Sequence, residues 1–222
     1  TGSGAMQEAG RRGATFGLLV ESEFADRCKG YRVTSEKTDV LDASGVGHSV
    51  KSTRRSRNAR LLAKSYSRIP NNWSLFREYA CAREDKKQDA ELAACGKIVG
   101  ALENRTWARE LWTSVITGGE SQLTRFTVYD NRGERAPEDL TSAFRSYAIS
   151  DLVKVLTQDV RWEVRKKKHA SVGGYAEWFG PKAASISLGS HRRRLLLFTL
   201  ENIQGLLDAA EAYGRLTRLA TY

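Results

Sequence analysis

Two short β-prone runs, Lys37-Thr38-Asp39-Val40-Leu41 and His48-Ser49-Val50-Lys51-Ser52-Thr53, carry a carboxylate and an amine, with Gly45 and Gly47 between them. Neighbouring antiparallel strands lie ~5 Å apart, so Asp39 and Lys51 can meet across one hairpin. A carboxylate able to hold a divalent cation, beside an ammonium able to position water, is the minimum equipment for hydrolysing a phosphodiester. An ordinary hairpin with a surface charge pair has the same composition, so the surrounding elements have to decide between the two.

Upstream, residues 15–28 predict an amphipathic helix, because Phe16, Leu19, Val20, Phe24 and Cys28 recur at three- and four-residue intervals. Lys29-Gly30 supplies a basic residue and a glycine where a helix end wants them. Residues 31–34, 38–41 and 49–53 read as three short strands, and the basic segment after Lys51 reads as a helix over 58–67. Ile69-Pro70-Asn71-Asn72 breaks it.

The 222 residues carry a net charge of +10, which favours a polyanionic partner, nucleic acid first. Between 51 and 68 there are seven basic residues (Lys51, Arg54, Arg55, Arg57, Arg60, Lys64, Arg68) and no acidic one. Two more clusters follow, Arg165-Lys166-Lys167-Lys168-His169 and His191-Arg192-Arg193-Arg194. None of the three sits on a strongly amphipathic helix, which disfavours a membrane surface. Apolar runs such as Leu195-Leu196-Leu197-Phe198 are far short of the ~20 residues that span a bilayer. The three cysteines form no CxxC pair and the three histidines are scattered, so reduced thiols in a cytoplasmic protein are expected, without zinc or disulfides.

One domain is expected over 6–222, with 1–5 resembling an expression scar ahead of Met6. Its first part, 6–70, carries the candidate chemistry. The middle, 71–156, is mainly helical: Leu92, Cys95, Ile98, Val99 and Leu102 form one stripe, and Trp107, Leu111, Trp112 and Val115 another that stops at Gly118-Gly119. Within it 123–129 alternates as a strand, Asp130-Asn131-Arg132-Gly133 turns the chain, and 138–156 reads as a helix. The last part, 157–222, predicts strands at 161–165, 174–179, 184–188 and 194–200, then a helix bearing Ile203, Leu206, Leu207, Ala210 and Tyr213.

Helix with Glu21 and Glu23, strand, strand with Asp39, strand with Lys51, helix: this order resembles the core of the PD-(D/E)XK nuclease superfamily, which includes most type II restriction endonucleases. The segments that carry the resemblance are Gly17-Leu-Leu-Val-Glu21 with Gly30-Tyr-Arg-Val, then Lys37-Thr-Asp39-Val and Gly47-His-Ser-Val-Lys51, within residues 15–65. Thr38 stands where the family's eponymous proline would be, and Ser49 where its second metal-binding carboxylate would be. The resemblance implies an α+β (α/β) fold with a mixed sheet flanked by helices. It also implies a bacterial or archaeal Mg²⁺-dependent endonuclease, using one or two ions, that cuts double-stranded DNA at specific sites as a homodimer. Asp39, the Val50 carbonyl and Glu21 would hold the ion, with Glu23 as the fallback on the helix. Ser49 would touch a water on the ion, and Lys51 would position and help deprotonate the attacking water. Arg54, Arg55, Arg57, Arg60 and Lys64 would bind flanking phosphates, while Arg165, Lys166, Lys167, Arg192 and Arg193 would serve DNA contact from the C-terminal part.

Two other readings fit the same residues. A non-catalytic binder of single-stranded DNA or RNA would use the basic and aromatic residues of the C-terminal strands, leaving Asp39 and Lys51 as hairpin charges. A repair or transposition nuclease of the same superfamily would keep the chemistry and lose the restriction role.

Overall fold

A computed structural model describes residues 2–53, 59–131, 140–158, 160–166, 172–178, 184–191 and 195–222. The first helix, α1 (Gly2–Arg27), starts well before the expected 15–28. It buries Phe16, Val20, Phe24, Ala25 and Cys28. Lys29, not Gly30, takes the left-handed conformation at its end, with φ 55°. Gly30 is needed for a different reason: a Cβ there would collide with the carbonyl of Leu41. The chain then runs through β1 (Tyr31–Arg32), β2 (Val40–Leu41) and β3 (Gly47–Ser52).

The expected helix at 58–67 is instead a strand, β4 (Ala59–Ser65), followed by 3-10 turns at Tyr66–Arg68 and Asn71–Trp73. Its residues favour helix locally, but pairing in a sheet overrides that preference. The register slips so that Leu62 faces Phe198 and Arg60 faces Thr199 across the ladder. Leu61 is thus an extra, bulged residue, and Leu61 and Leu62 are buried side by side. The bulge erases the alternation that would have marked a strand.

Helices α2 (Ser74–Glu84), α3 (Gln88–Leu102) and α4 (Arg105–Thr117) follow the apolar stripes read from the sequence. Asn104 caps α4 by accepting the Trp107 N–H at 3.1 Å, and Gly118 closes it with φ 60°. Next comes β5 (Leu123–Tyr129), as expected. The helix expected over 138–156 is in fact β6 (Phe144–Ala148) and then α5 (Ile149–Thr157), with 138–139 outside the described residues. All four residues from Phe144 to Tyr147 are buried, because one face of β6 packs in the α1 cluster with Phe144 and the other in the larger core with Tyr147. The strand therefore shows no period of two. The C-terminal part holds β7 (Arg161–Lys166), β8 (Val172–Trp178), β9 (Ala184–His191), β10 (Leu195–Glu201) and α6 (Ile203–Ala212), as expected, plus β11 (Ala220–Thr221), which the sequence reading lacks.

The fold is mixed α and β, with six α-helices among the described residues. One sheet has the order β1-β2-β3-β5-β6-β11; its β3–β5 pair is parallel and the rest antiparallel. The other is antiparallel, in the order β4-β10-β9-β8-β7. The larger core cluster joins β4 and β10 to helices α2–α6 and to Phe126, Val128 and Tyr147 of the mixed sheet. A smaller cluster seats α1 on Val40, Val50, Tyr129 and Phe144. Among the described residues no helix is long and apolar enough to cross a membrane.

Candidate active site

The β2–β3 ladder is short: Val40 pairs with His48 and Leu41 with Gly47. Just beyond it the Asp39 N–H still reaches the His48 carbonyl at 3.0 Å. The Asp39 carboxylate then takes the Val50 N–H at 2.8 Å, replacing the backbone partner that β2 no longer offers. A notch therefore opens beside Ser49–Ser52 where the two strands part. Val40 and Val50 pack under α1, so alternation turns Asp39, Ser49 and Lys51 to the opposite face. The two residues singled out first thus share a face of the sheet.

Charge coupling ties the group together. Burial, opposed by Lys51 and the Val50 N–H, leaves the Asp39 carboxyl above its ordinary value. Burial, and then the field of Asp39, raise Glu21 as well, against Arg32 and Lys51. Arg32 Nε lies 3.4 Å from the Glu21 carboxylate. Glu23 turns away and pairs with Arg27 at 2.9 Å. Of the two helix carboxylates, Glu21 is the one in the field of Asp39 and Lys51. Ser49 is 2 % exposed, which leaves its hydroxyl little access to solvent.

Glu120, which the sequence reading lacks, organises the approach to Asp39. Its carboxylate accepts the N–H groups of Lys37 at 2.8 Å and Thr38 at 3.2 Å, the Thr38 hydroxyl at 2.9 Å, and the Ser35 hydroxyl. Burial alone would raise it, but the hydrogen bonds from Ser35, Thr38 and Lys37 outweigh burial and hold it low. Glu120 directly follows the Gly118-Gly119 stop of α4. The turn was legible; its contact with a loop eighty residues earlier was not. Lys37 itself is half-buried, brought down to about 8 by burial and then by the charge of Lys51.

Behind the notch, on the α1 face, a polar chain crosses the sheet. His48 Nε2 bonds Asp42 at 2.9 Å, His48 Nδ1 bonds the Thr127 hydroxyl at 2.8 Å, and Thr127 bonds Ser146 at 3.0 Å. An acid, an imidazole and a hydroxyl in series resemble a nucleophilic relay, but Thr127 is fully buried, so no substrate reaches it. The chain braces β2, β3, β5 and β6.

Of the expected nucleic-acid contacts, Arg60 is exposed on β4, and Lys64 on the same strand stands 3.8 Å from Glu36. Arg165 is engaged by Glu163 on its own strand. Lys166 ends β7, while Arg54, Arg55, Arg57, Lys167, Arg192 and Arg193 lie outside the described residues.

The carboxylates that could serve a divalent cation here are Asp39 and Glu21. Among the described residues no three or more His, Cys, Asp or Glu side chains converge as a metal site. Magnesium commonly takes one or two carboxylates and keeps several waters. Burial raises the carboxyls of both Asp39 and Glu21, and the charge of each would be eased by a nearby cation. Comparisons with protein-family models, curated proteins and solved structures return no match for this chain.

Proposed function

We propose that the protein is a Mg²⁺-dependent endonuclease acting on double-stranded DNA, with a restriction-endonuclease-like core formed by α1, β1–β3 and β5. The observation that carries this reading is the coupled carboxylate pair Glu21 and Asp39 beside Lys51, in a notch where β2 leaves β3. What supports it further is the order of elements: helix α1, strand β1, Asp39 immediately before the two-residue strand β2 and not in it as expected, then Lys51 on β3. The expected helix after Lys51 is replaced by β4, and the helices come later. The net charge of +10 suits a polyanionic substrate.

In this reading Asp39 and the Val50 carbonyl would hold the ion at the edge of β3, with Glu21 approaching that edge from α1. When bound, the ion offsets charge developing on the phosphate in the transition state. Lys51, on the Asp39 face of β3, hydrogen-bonds the attacking water and aims it at phosphorus. Water oxygen bonds to phosphorus as one P–O ester bond breaks; the water's proton passes to solvent with help from Lys51, and the departing alkoxide oxygen takes up a proton to leave as a hydroxyl. Arg60 and Lys64 sit on the next strand, where cations add affinity without reading sequence. Cutting both strands at a two-fold symmetric site calls for two copies of the chain.

The test is plasmid cleavage with Mg²⁺ and with EDTA, using the wild type, Lys51→Ala and Asp39→Ala. Discrete fragments that need the metal and vanish in both variants are expected. Salt-sensitive DNA binding with no cleavage would overturn the nuclease reading in favour of a non-catalytic binder.

A further inference from the structure

The outward face of α1 carries a pattern that neither the core nor the notch explains. Phe16, Val20 and Phe24 face the sheet, whereas Arg11, Thr15, Leu18, Leu19, Ser22 and Asp26 are exposed. At ~100° per residue these six fall within an arc of about 100°, on the side turned away from the core. Leu18 and Leu19, at the middle of the stripe, are 49 % and 46 % exposed.

The spacing of the stripe is a palindrome, with steps of four, three, one, three and four residues. Turned end for end about the point between Leu18 and Leu19, α1 therefore lays the stripe upon itself. Leucines then meet leucines, Thr15 meets Ser22, and Arg11 meets Asp26. Thr15 and Ser22 are short enough to let two helices approach, and the Thr15 hydroxyl is already satisfied by the Arg11 carbonyl at 3.0 Å. Among the described residues neither the Arg11 guanidinium nor the Asp26 carboxylate has an ion-pair partner. A parallel pairing would set Arg11 against Arg11 and Asp26 against Asp26, so the charges choose the antiparallel one.

The first half of α1 also lacks the means to hold itself. Among the described residues none before Phe16 is buried. Its first turn has no acidic residue, and Gly10 and Gly13 lie within it. Glycine is the poorest helix former after proline, and a short helix without packing is marginal even when rich in alanine. Contact from outside the chain would supply what the chain itself does not.

We infer that α1 is a self-association surface, through which two copies of the chain pair antiparallel about a two-fold axis between Leu18 and Leu19. The partner is a second copy, because the same stripe reversed supplies the leucine contacts once and the Arg11–Asp26 contact twice. Asp39 and Lys51 lie on the opposite face of the sheet and stay outside the seam, so the inference does not depend on what the notch does.

Sedimentation velocity of the full chain, without DNA and over a wide range of concentration, tests it. Wild type should pass from monomer to dimer as concentration rises. Leu18→Glu combined with Leu19→Glu should stay monomeric throughout, yet unfold at the wild-type Tm when dilute, since both positions are exposed. Arg11→Asp alone should weaken dimerisation roughly tenfold, as two exposed contacts turn from attraction to repulsion. Asp26→Arg alone should do the same, and the two together should restore the wild-type dimer. Arg11 and Asp26 lie about 22 Å apart along one helix, so such a rescue acts between copies. A wild type that is monomeric at every concentration would overturn the inference. A dimer that survives the paired leucine substitutions would overturn it too, as would a charge-swapped protein that stays monomeric. Plasmid cleavage is read separately: a dimer that leaves DNA intact removes the nuclease reading alone, and cleavage by a chain that never dimerises removes the seam alone.

Discussion

Glu120→Ala should destabilise the protein more than its position near the surface suggests. Three donors on Lys37 and Thr38 and one on Ser35 converge on this carboxylate. Thr38 is 1 % exposed, so its N–H and hydroxyl would be left without water when the carboxylate goes. A buried donor stripped of its partner costs ~1–3 kcal/mol. The Ser35 and Lys37 donors lie nearer solvent and recover part of their loss from water, so the total is about 2–4 kcal/mol. For a chain of this size that is a fall of roughly 6–12 °C in Tm, taking ~3 kcal/mol and ~2–4 °C per kcal/mol. Glu120→Gln keeps one acceptor oxygen and should cost about half as much. The pH dependence supplies a second check. The folded carboxyl lies below its ordinary 4.5, so its contribution is present above 4.5 and is lost as pH falls through the folded value. The gap between wild type and Glu120→Gln should therefore narrow in acid. Urea denaturation of the three proteins at neutral and acidic pH measures all of this. A Glu120→Ala protein within ~0.5 kcal/mol of wild type would refute the reasoning, as would a gap to Gln that persists in acid.

The raised carboxyls at Asp39 and Glu21 make the opposite prediction. Each is disfavoured in its ionised form by folding, a penalty that sets in as pH rises through the ordinary value. Asp39→Asn should accordingly be more stable than wild type in EDTA at neutral pH, by thermal unfolding. Saturating Mg²⁺ at ~100 times its Kd should stabilise wild type by about 2.7 kcal/mol and the variant far less. His48 is held below its ordinary 6.5, by burial against the pull of Asp42, so the folded protein resists the proton that the unfolded chain accepts. Stability should fade as pH drops below 6.5, and His48→Gln should flatten that limb in a urea series run at several pH values. Of the three thiols only Cys81 is exposed, while burial pushes Cys95 up to about 12. Ellman's reagent should titrate one thiol rapidly in the native protein and all three in denaturant.

Elements with a clean period were legible in the chain. The three- and four-residue stripes of α1, α3 and α4, the alternation of β5 and the spaced strands of the C-terminal part all appear where their patterns place them. Periodicity failed where burial is two-sided or irregular. In β6 both faces are covered, and in β4 a bulge puts Leu61 and Leu62 inside together. The candidate site divides in the same way. Asp39 and Lys51 could be paired because β2 and β3 are neighbours in sequence, and choosing Glu21 over Glu23 needed only the helix to be oriented. Glu120 and the anchoring of the Lys37 ammonium on the Leu61 carbonyl depend on contacts between distant segments, which no local pattern announces.

The parallel pairing of β3 with β5 has a kinetic consequence. Ser52 meets Tyr129 only after β4, α2, α3 and α4 have completed the crossover between them. Closing such a long loop costs entropy before any contact repays it, and parallel pairings of this kind form slowly. Glu120 lies on the returning limb of that crossover, so the clasp on Ser35, Lys37 and Thr38 is absent until the crossover has folded. A nascent or partly folded chain would carry Asp39 and Lys51 on a loose hairpin, without the carboxylate that fixes their approach. Whatever chemistry the notch performs is thereby tied to completion of the fold.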